Sequence, residues 1–218
     1  DARIVGLSTI WNDDPAVPDD TATTSDLSES TLGGDGGVIV YPTDTVYGLG
    51  CDITCKAAVE RIQRIKGRDA RKPMSFVCSD LTDISNYAQV SNFAYRILRR
   101  LLPGAYTFVL PATKETPKPL RSRQRTVGIR IPDHNVSTSL VSQLDHPLLS
   151  TSANRSSFPP AASAEEAAMK LGEDVDIILD GGPAADTSPS TLVRVTQNLE
   201  ILREGRIPSR QILNLLDK

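Results

Sequence analysis

The sequence predicts an α/β domain built on one open, mixed sheet flanked by helices. Two observations carry this prediction. Short β-rich runs alternate along the chain with stretches of helical apolar period. The composition is that of a globular chain, with 39% hydrophobic and 23% charged residues over 218 positions, enough to form a core. In addition, no apolar run approaches the roughly 20 residues that a membrane-crossing helix needs.

Taken in order, residues 1–36 stand apart. They hold eight acids and one base, Arg3, so the remaining residues carry a small positive excess within a chain of net charge −3. Pro15–Glu29 is rich in Pro, Asp, Ser and Thr without apolar period, and residues 1–36 read as an acidic extension or loose segment. The glycines at 33–37 do not make a P-loop, because no Gly-Lys-Ser/Thr follows. Residues 37–218 read as one domain.

Val38–Tyr41 is a short apolar run, read as a buried strand that Pro42 ends for want of an N–H. Cys55–Lys66 places Val59, Ile62 and Ile65 at helical spacing before Gly67. Ser75–Cys78 reads as a strand. Asn92–Leu102 puts Phe93, Ile97 and Leu101 on one helix face, and Pro103-Gly104 stops it. Tyr106–Leu110 is a strand, and Thr126–Ile131 alternates Val127, Ile129 and Ile131 with Gly128 and Arg130, the period of a half-buried strand. Ser163-Ala-Glu-Glu166 is a capping box opening a helix that Gly172 closes. Val175–Leu179, Thr191–Val195 and Leu199–Arg203 are further strands.

Several chemistries are disfavoured. Three cysteines (Cys51, Cys55, Cys78) indicate reduced thiols rather than a disulfide framework. The spacing of Cys51 and Cys55 lacks a second pair, and His134 and His146 sit far away, so no structural zinc site is expected. Asn135-Val-Ser137 and Asn154-Arg-Ser156 match the glycosylation sequon by chance, no signal peptide being present. No Ser-His-Asp set or carboxylate pair is indicated. The expected location is cytoplasmic, or a plastid or mitochondrion after loss of a transit peptide, the chain starting at Asp1 rather than Met.

Four pieces carry chemistry. In Tyr41-Pro-Thr-Asp-Thr-Val-Tyr-Gly-Leu-Gly50 the hydroxyls of Thr43, Thr45 and Tyr47 emerge at a strand end beside glycines that allow close backbone approach to a ligand. An ordinary polar turn fits the same residues, and Asp44 could equally be structural. Arg61–Lys72 carries six bases and one acid, with Lys66 and Arg68 projecting from the turn at Gly67 as a phosphate-binding pair. Ser150-Thr-Ser-Ala-Asn154 offers hydroxyls and an amide at a strand end, although alone it reads as a capped turn. Arg130, on a half-buried strand, needs an internal acid or a bound anion. Together they favour positioning plus anion stabilisation, the logic of phosphoryl and nucleotidyl transfer.

These pieces resemble the YrdC-like threonylcarbamoyl-AMP synthase family in its single-domain form. The resemblance runs from about Gly36 to Arg206 and rests on PTDTVYGLG (Pro42–Gly50), Lys66-x-Arg68, Lys72-Pro73, PGAYTFVL (Pro103–Leu110), TVGIRIP (Thr126–Pro132), STSAN (Ser150–Asn154), Ser190-Thr191 and Arg203. It implies a YrdC/RibB-like twisted open sheet with a basic concave cleft. It also implies synthesis of L-threonylcarbamoyl-AMP from L-threonine, bicarbonate and ATP with Mg²⁺, releasing pyrophosphate. That product serves modification of adenosine 37 in tRNA. Lys66, Arg68, Ser152 and Asn154 are the implied catalytic residues. Thr45, Arg130, Ser150 and Ser190 would face the threonine, with Arg130 on its carboxylate. Arg68, Lys72, Thr126, Ser152, Asn154 and Arg203 would face ATP. No protein side chain is expected to hold the metal. Implied partners are tRNA or double-stranded RNA and downstream threonylcarbamoyl-transfer machinery, with no membrane.

The sequence departs from the family pattern at Asp69, where proline is usual, at Val77, where many synthases place a histidine near threonine, and at Pro160, where a serine often meets ATP. The extra C-terminal domain of longer synthases is not expected here. Residues 72–80 and 91–114 look closer to the YciO-like branch. Two alternatives accompany this reading. One is an RNA-binding module without catalysis, against which the 5% aromatic content offers little stacking surface. The other is a YciO-like adenylating enzyme with another substrate.

Overall fold

The alternation along Thr126-Val127-Gly128-Ile129-Arg130 becomes a strand whose Val127 and Ile129 are sealed in the core while Arg130 turns to the opposite face. The structure, a computed structural model, describes residues 2–6, 32, 36–67, 74–144 and 146–216. In chain order the elements are β1 (Arg3–Gly6), β2 (Val38–Tyr41), β3 (Gly48–Asp52), α1 (Lys56–Lys66), β4 (Ser75–Val77), α2 (Leu81–Tyr87), α3 (Asn92–Leu101), β5 (Tyr106–Pro111), β6 (Thr126–Arg130), α4 (Asn135–Leu144), β7 (Leu148–Ser152), α5 (Ala164–Leu171), β8 (Ile177–Asp180), β9 (Thr191–Val195), β10 (Leu199–Arg203) and α6 (Ser209–Leu216). The strands form one mixed sheet in the order β1-β8-β2-β3-β7-β4-β6-β5-β9-β10. Pairing is parallel for β1/β8, β8/β2, β4/β6 and β5/β9, and antiparallel elsewhere. Among the described residues no helix is long and apolar enough to cross a membrane.

Two apolar clusters flank the sheet. The larger one packs Val38, Leu49, Phe76, Phe108, Ile129 and Leu149 under side chains from α1, α2, α3, α5 and α6. The smaller one packs Ile39, Tyr41, Val77, Leu148 and Leu179 against Val136, Leu140 and Val141 of α4. Burial of such side chains contributes about 1.5–3 kcal/mol each. On its second face the sheet is therefore covered by α4 only as far as Tyr41, Val77 and Leu148.

Local signals act as the sequence indicates at several helix ends. Ser163 Oγ accepts from the Glu166 N–H (3.2 Å), and Ser91 Oγ accepts from Ala94 N–H (3.1 Å). Gly67 closes α1 in the left-handed conformation at φ +55° and donates its N–H to Arg64 O. The structure adds elements that the sequence reading does not contain: β3, α2, α4 and α6. It also forms β1 inside the segment read as an extension, with Arg3–Gly6 parallel to Ile177–Asp180 and Val5 buried in the smaller cluster. Pro15–Glu29 lies outside the described residues.

The end of β3 is fastened to the entry of β7 by a charge pair. Asp52 Oδ1 accepts from the N–H and hydroxyl of Thr54 (2.6 and 2.7 Å), and His146 Nε2 lies 3.4 Å from Asp52 Oδ2. The hydrogen bond to Asp52 raises the His146 pKa despite burial, which opposes it. Burial alone would raise Asp52, but bonds from His146 and Thr54 outweigh it and hold the carboxyl below its usual range. The raised histidine contributes stability that is complete below about pH 6.5 and is lost as pH rises through its folded value. The depressed aspartate contributes above about pH 4, and this is lost as pH falls through its folded value. The stability advantage of the parent over a His146→Gln variant, read as the difference in urea midpoint, should therefore shrink as pH rises above about 6.5. An unchanged pH profile in that variant would remove the pair from the account.

Candidate functional site

The uncovered part of the second sheet face is a cavity of about 280 Å³. It collects Ser75 and Val77 from β4, Thr107 and Val109 from β5, Thr126, Gly128 and Arg130 from β6, and Ser150 and Ser152 from β7. Thr45, Ser190, Leu192 and Arg203 complete its polar and apolar walls. Strand alternation places these groups together: Ser75 stands opposite both Gly128 and Ser150, and Val77 opposite Arg130 and Leu148. A β-bulge brings in Arg203. The β9/β10 register runs Ile201 opposite Val193 and then Arg203 opposite Leu192, so the extra residue at Leu202 aims Arg203 at the cavity face.

Seven residues expected in the site thus meet in one cavity: Thr45, Thr126, Arg130, Ser150, Ser152, Ser190 and Arg203. Lys66 and Asn154 do not line it. Lys66 is 2% exposed rather than projecting from its turn. Its ammonium donates to Ser152 O (2.7 Å) and Asn154 Oδ1 (2.5 Å). Ser152 Oγ also donates to Asn154 Oδ1 (2.7 Å), and Asn154 Nδ2 donates to Phe158 O (2.5 Å). A buried ammonium without acceptors costs several kcal/mol, so the strand end at Ser152 is shaped to supply them. Arg68, Lys72 and Asp69 lie outside the described residues. Val77 lines the cavity beside Arg130, whereas Pro160 is not among its lining residues.

The motif glycines have a structural use as well. A Cβ on Gly48 would lie 2.8 Å from the Tyr41 ring, and one on Gly50 would lie 2.9 Å from it. They make room for Tyr41, and Gly48 also lines the cavity. The Tyr41 hydroxyl donates to Ser150 Oγ (2.5 Å), and burial pushes its pKa up to about 12, so it stays protonated. Tyr47 points away from Thr45, donating to Gly182 O (2.6 Å).

The hydroxyl protons can be followed individually. Thr43 gives its proton to Val46 O (2.8 Å), so across the 3.1 Å contact Thr45 must donate to Thr43. Thr45 Oγ1 in turn accepts from Arg130 Nη2 (2.6 Å). Ser150 accepts from Tyr41 and keeps its own proton for the cavity. Thr107 and Ser190 share one bond of 2.7 Å, which leaves one of their two protons free. Arg203 Nη2 donates to Ser190 O (2.9 Å). Among the described residues no Asp or Glu lines the cavity. The partner that Arg130 needs is Asp44, whose carboxylate meets its Nη2 in a short ion pair. The cleft's cationic character is accordingly reduced at this end. Sequence reasoning singled out Asp44 but could not pair it, because 86 positions separate the two residues.

The sequence profile of the Sua5/YciO/YrdC family, described as telomere recombination, matches residues 33–205. The chain belongs to this family. It is 42% identical over 174 residues to an uncharacterized protein of Haemophilus influenzae, covering 78% of this chain and 84% of that protein. It is 38% identical over 158 residues to a threonylcarbamoyl-AMP synthase of Nitrosococcus oceani, covering 72% and 85%. The crystal structure of E. coli YciO superposes with a TM-score of 0.81 at 32% identity, over 97% of this chain and 98% of that one. That of P. abyssi Sua5 complexed with L-threonine gives 0.79 at 30% identity, over 83% and 54%. The mixed α/β fold, one open sheet flanked by helices, therefore matches that of YciO and Sua5.

Replacing Lys66 by Met, which keeps length but removes the donor, leaves Ser152 O and Asn154 Oδ1 short of a partner. Urea unfolding of Lys66→Met should show a loss of about 1–3 kcal/mol. A loss below about 0.5 kcal/mol, the level typical of surface substitutions, would mean that the ammonium does not hold this strand end.

Proposed function

We propose that this protein is a nucleotidyltransferase that makes L-threonylcarbamoyl-AMP from L-threonine, bicarbonate and ATP, releasing pyrophosphate, for modification of adenosine 37 in tRNA. The observation that carries the reading is the donor-rich, acid-free cavity in which Arg130, Arg203 and free hydroxyl protons converge. Such a lining suits a ligand made of acceptors, which carboxylate, carbamate and phosphate groups are. The threonine amine and bicarbonate give a carbamate and water. A carbamate oxygen then attacks the α-phosphorus, and the bond to pyrophosphate breaks. Arg130 would hold the amino-acid carboxylate, with Thr45, Ser150 and Ser190 beside it. Thr126, Ser152 and Arg203 would meet the nucleotide, with Arg68 and Lys72 on its phosphates and Lys66 and Asn154 fixing Ser152. The naming of relatives as threonylcarbamoyl-AMP synthases and the L-threonine complex of P. abyssi Sua5 support the choice of substrate.

Mg²⁺ enters this reading only as the counter-ion carried by the triphosphate. The cavity lining holds no carboxylate, and among the described residues no group of three His, Cys, Asp or Glu could hold a metal ion. The lining does not fit a protein-held magnesium.

A second reading follows from Val77, an apolar side chain directly beside Arg130, and from the likeness to YciO. It keeps the adenylation and changes the amine. Pyrophosphate release, followed with a panel of amino acids, separates the two. The first reading expects release only when ATP, bicarbonate and threonine are all present; release indifferent to threonine counts against it. Arg68→Ala should lower that release by about tenfold or more with an unchanged melting temperature, since a charge-assisted phosphate bond contributes roughly 1.5–3 kcal/mol. Parental activity in Arg68→Ala would take this residue out of the site.

A further inference from the structure

Arg130 enters the cavity already paired. Its Nη2 bonds the Asp44 carboxylate and Thr45 Oγ1, with Thr43 Oγ1 at 3.4 Å. Both partners are largely buried, the side chains being 13% and 8% exposed. The contact is monodentate rather than the two-bond fork that arginine and carboxylate usually make. Arg130 Nε and Asp44 Oδ2 are both buried without a partner. Nη1 makes no protein bond and is not among the buried atoms, so it is the edge of the guanidinium open to the cavity.

Asp44 approaches from another compartment. A second cavity of about 510 Å³ is lined by Thr43, Asp44, His134 and Arg206, whereas Thr45 and Arg130 line the first. The turn Pro42–Thr45 is the wall between them, and the ion pair spans it. Arg206 holds the turn by donating from Nη1 to Asp44 O, and its Nε lies 3.7 Å from Asp186. Asp44 is thus fixed at its backbone and leaves its charge on Arg130.

We propose that Asp44 is a specificity-determining positioning residue: an internal counter-ion that makes the Arg130 end of the cavity accept a single carboxylate and reject polyphosphate. A guanidinium with a buried carboxylate beside it keeps its hydrogen-bond geometry but has little net charge left. One carboxylate gains from the free Nη1 edge. A pyrophosphate group, with several negative charges, gains little there and is repelled by Asp44. Polyphosphate is then directed toward Arg203, and the amino-acid end stays clear of the product. The proposal rests on the reading above only for the identity of the carboxylate ligand.

Direct titration with inorganic pyrophosphate tests it without turnover. Removing the charge in Asp44→Asn exposes Arg130 as a full cation, and pyrophosphate should bind about tenfold tighter or more. Adding Arg130→Gln to that variant should return the affinity to the parental value, a coupling that a merely structural role would not produce. Asp44→Glu, which keeps the charge, should stay near the parent. The double variant replaces one neutral pair by another and should bind pyrophosphate within about twofold of the parent, and this arm decides the question if Asp44→Asn alone does not fold; Arg130→Gln alone bares the Asp44 carboxylate and should weaken binding. In turnover, pyrophosphate should inhibit Asp44→Asn about tenfold more strongly than the parent. Unchanged pyrophosphate affinity in folded Asp44→Asn, or a tenfold loss in the Asp44→Asn/Arg130→Gln double variant, overturns the proposal. Absence of any amino-acid-dependent turnover in the parent overturns the proposed function instead and leaves the titration readable.

Discussion

A sheet has two faces, and the helices of this chain cover them unequally. Side chains from five helices seal the face that carries Phe76, Phe108, Val127 and Ile129. Among the described residues, α4 is the only helix in the cluster on the other face, where it reaches Tyr41, Val77 and Leu148. Everything beyond that edge must tolerate water, because exposed backbone ladders and polar side chains can be solvated whereas a bare apolar floor would form a sticky patch. The residues there are correspondingly small or polar: Ser75, Thr107, Gly128, Ser150 and Ser190. The cavity is the consequence of incomplete cover, and its polarity is the condition on which the incomplete cover is stable.

Two buried cations are then managed in different ways. Lys66 turns its charge inward, and Ser152 O and Asn154 Oδ1 are among its acceptors. The desolvation cost is met by geometry, and the effect is to fix the position of Ser152. Arg130 is matched by a true carboxylate, which removes most of its field but leaves one N–H edge unspent. In a medium of low effective dielectric, a paired and an unpaired arginine differ by kilocalories per mole in their attraction for an anion. The same residue type can therefore supply orientation in one place and charge in another.

Much of the sheet is legible in the sequence because period-two alternation is a local signal. Thr126–Arg130 shows which side chains share a face, and Ser163 with Glu166 shows where a helix opens. The strands β9 and β10 appear at their predicted positions, but the bulge that turns Arg203 into the cavity depends on pairing and leaves no mark in composition. The glycines of β3 answer to a neighbouring strand as well as to the cavity. Gly48 and Gly50 lower strand propensity, and what favours them is the Tyr41 ring on the neighbouring strand, which no local rule can see. The α4 segment, Asn135–Leu144, is rich in Ser and Thr, so its intrinsic helix preference is weak and its place is set by packing on the smaller cluster. Lys66 and Asp44 were visible as charges. Their partners lie 88 and 86 positions away, and only the fold brings them within bonding distance.

The direction of the hydroxyl protons ties these threads together. Thr43 commits its proton to a backbone carbonyl, so Thr45 must donate toward Thr43, and its oxygen is left to accept from Arg130. Tyr41, kept protonated by burial, donates to Ser150 and so frees the Ser150 proton. Each of these steps starts from a group deep in the wall and ends with its polarity expressed at the cavity surface. The result is a lining of mixed polarity: Ser150 offers a proton, whereas Ser152, whose proton goes to Asn154 Oδ1, offers lone pairs. A ligand that opposes donor with donor or acceptor with acceptor at either point leaves a polar group unpaired, at roughly 1–3 kcal/mol for each mismatch. Which hydroxyl gives and which receives is thus decided by hydrogen bonds in the wall behind them.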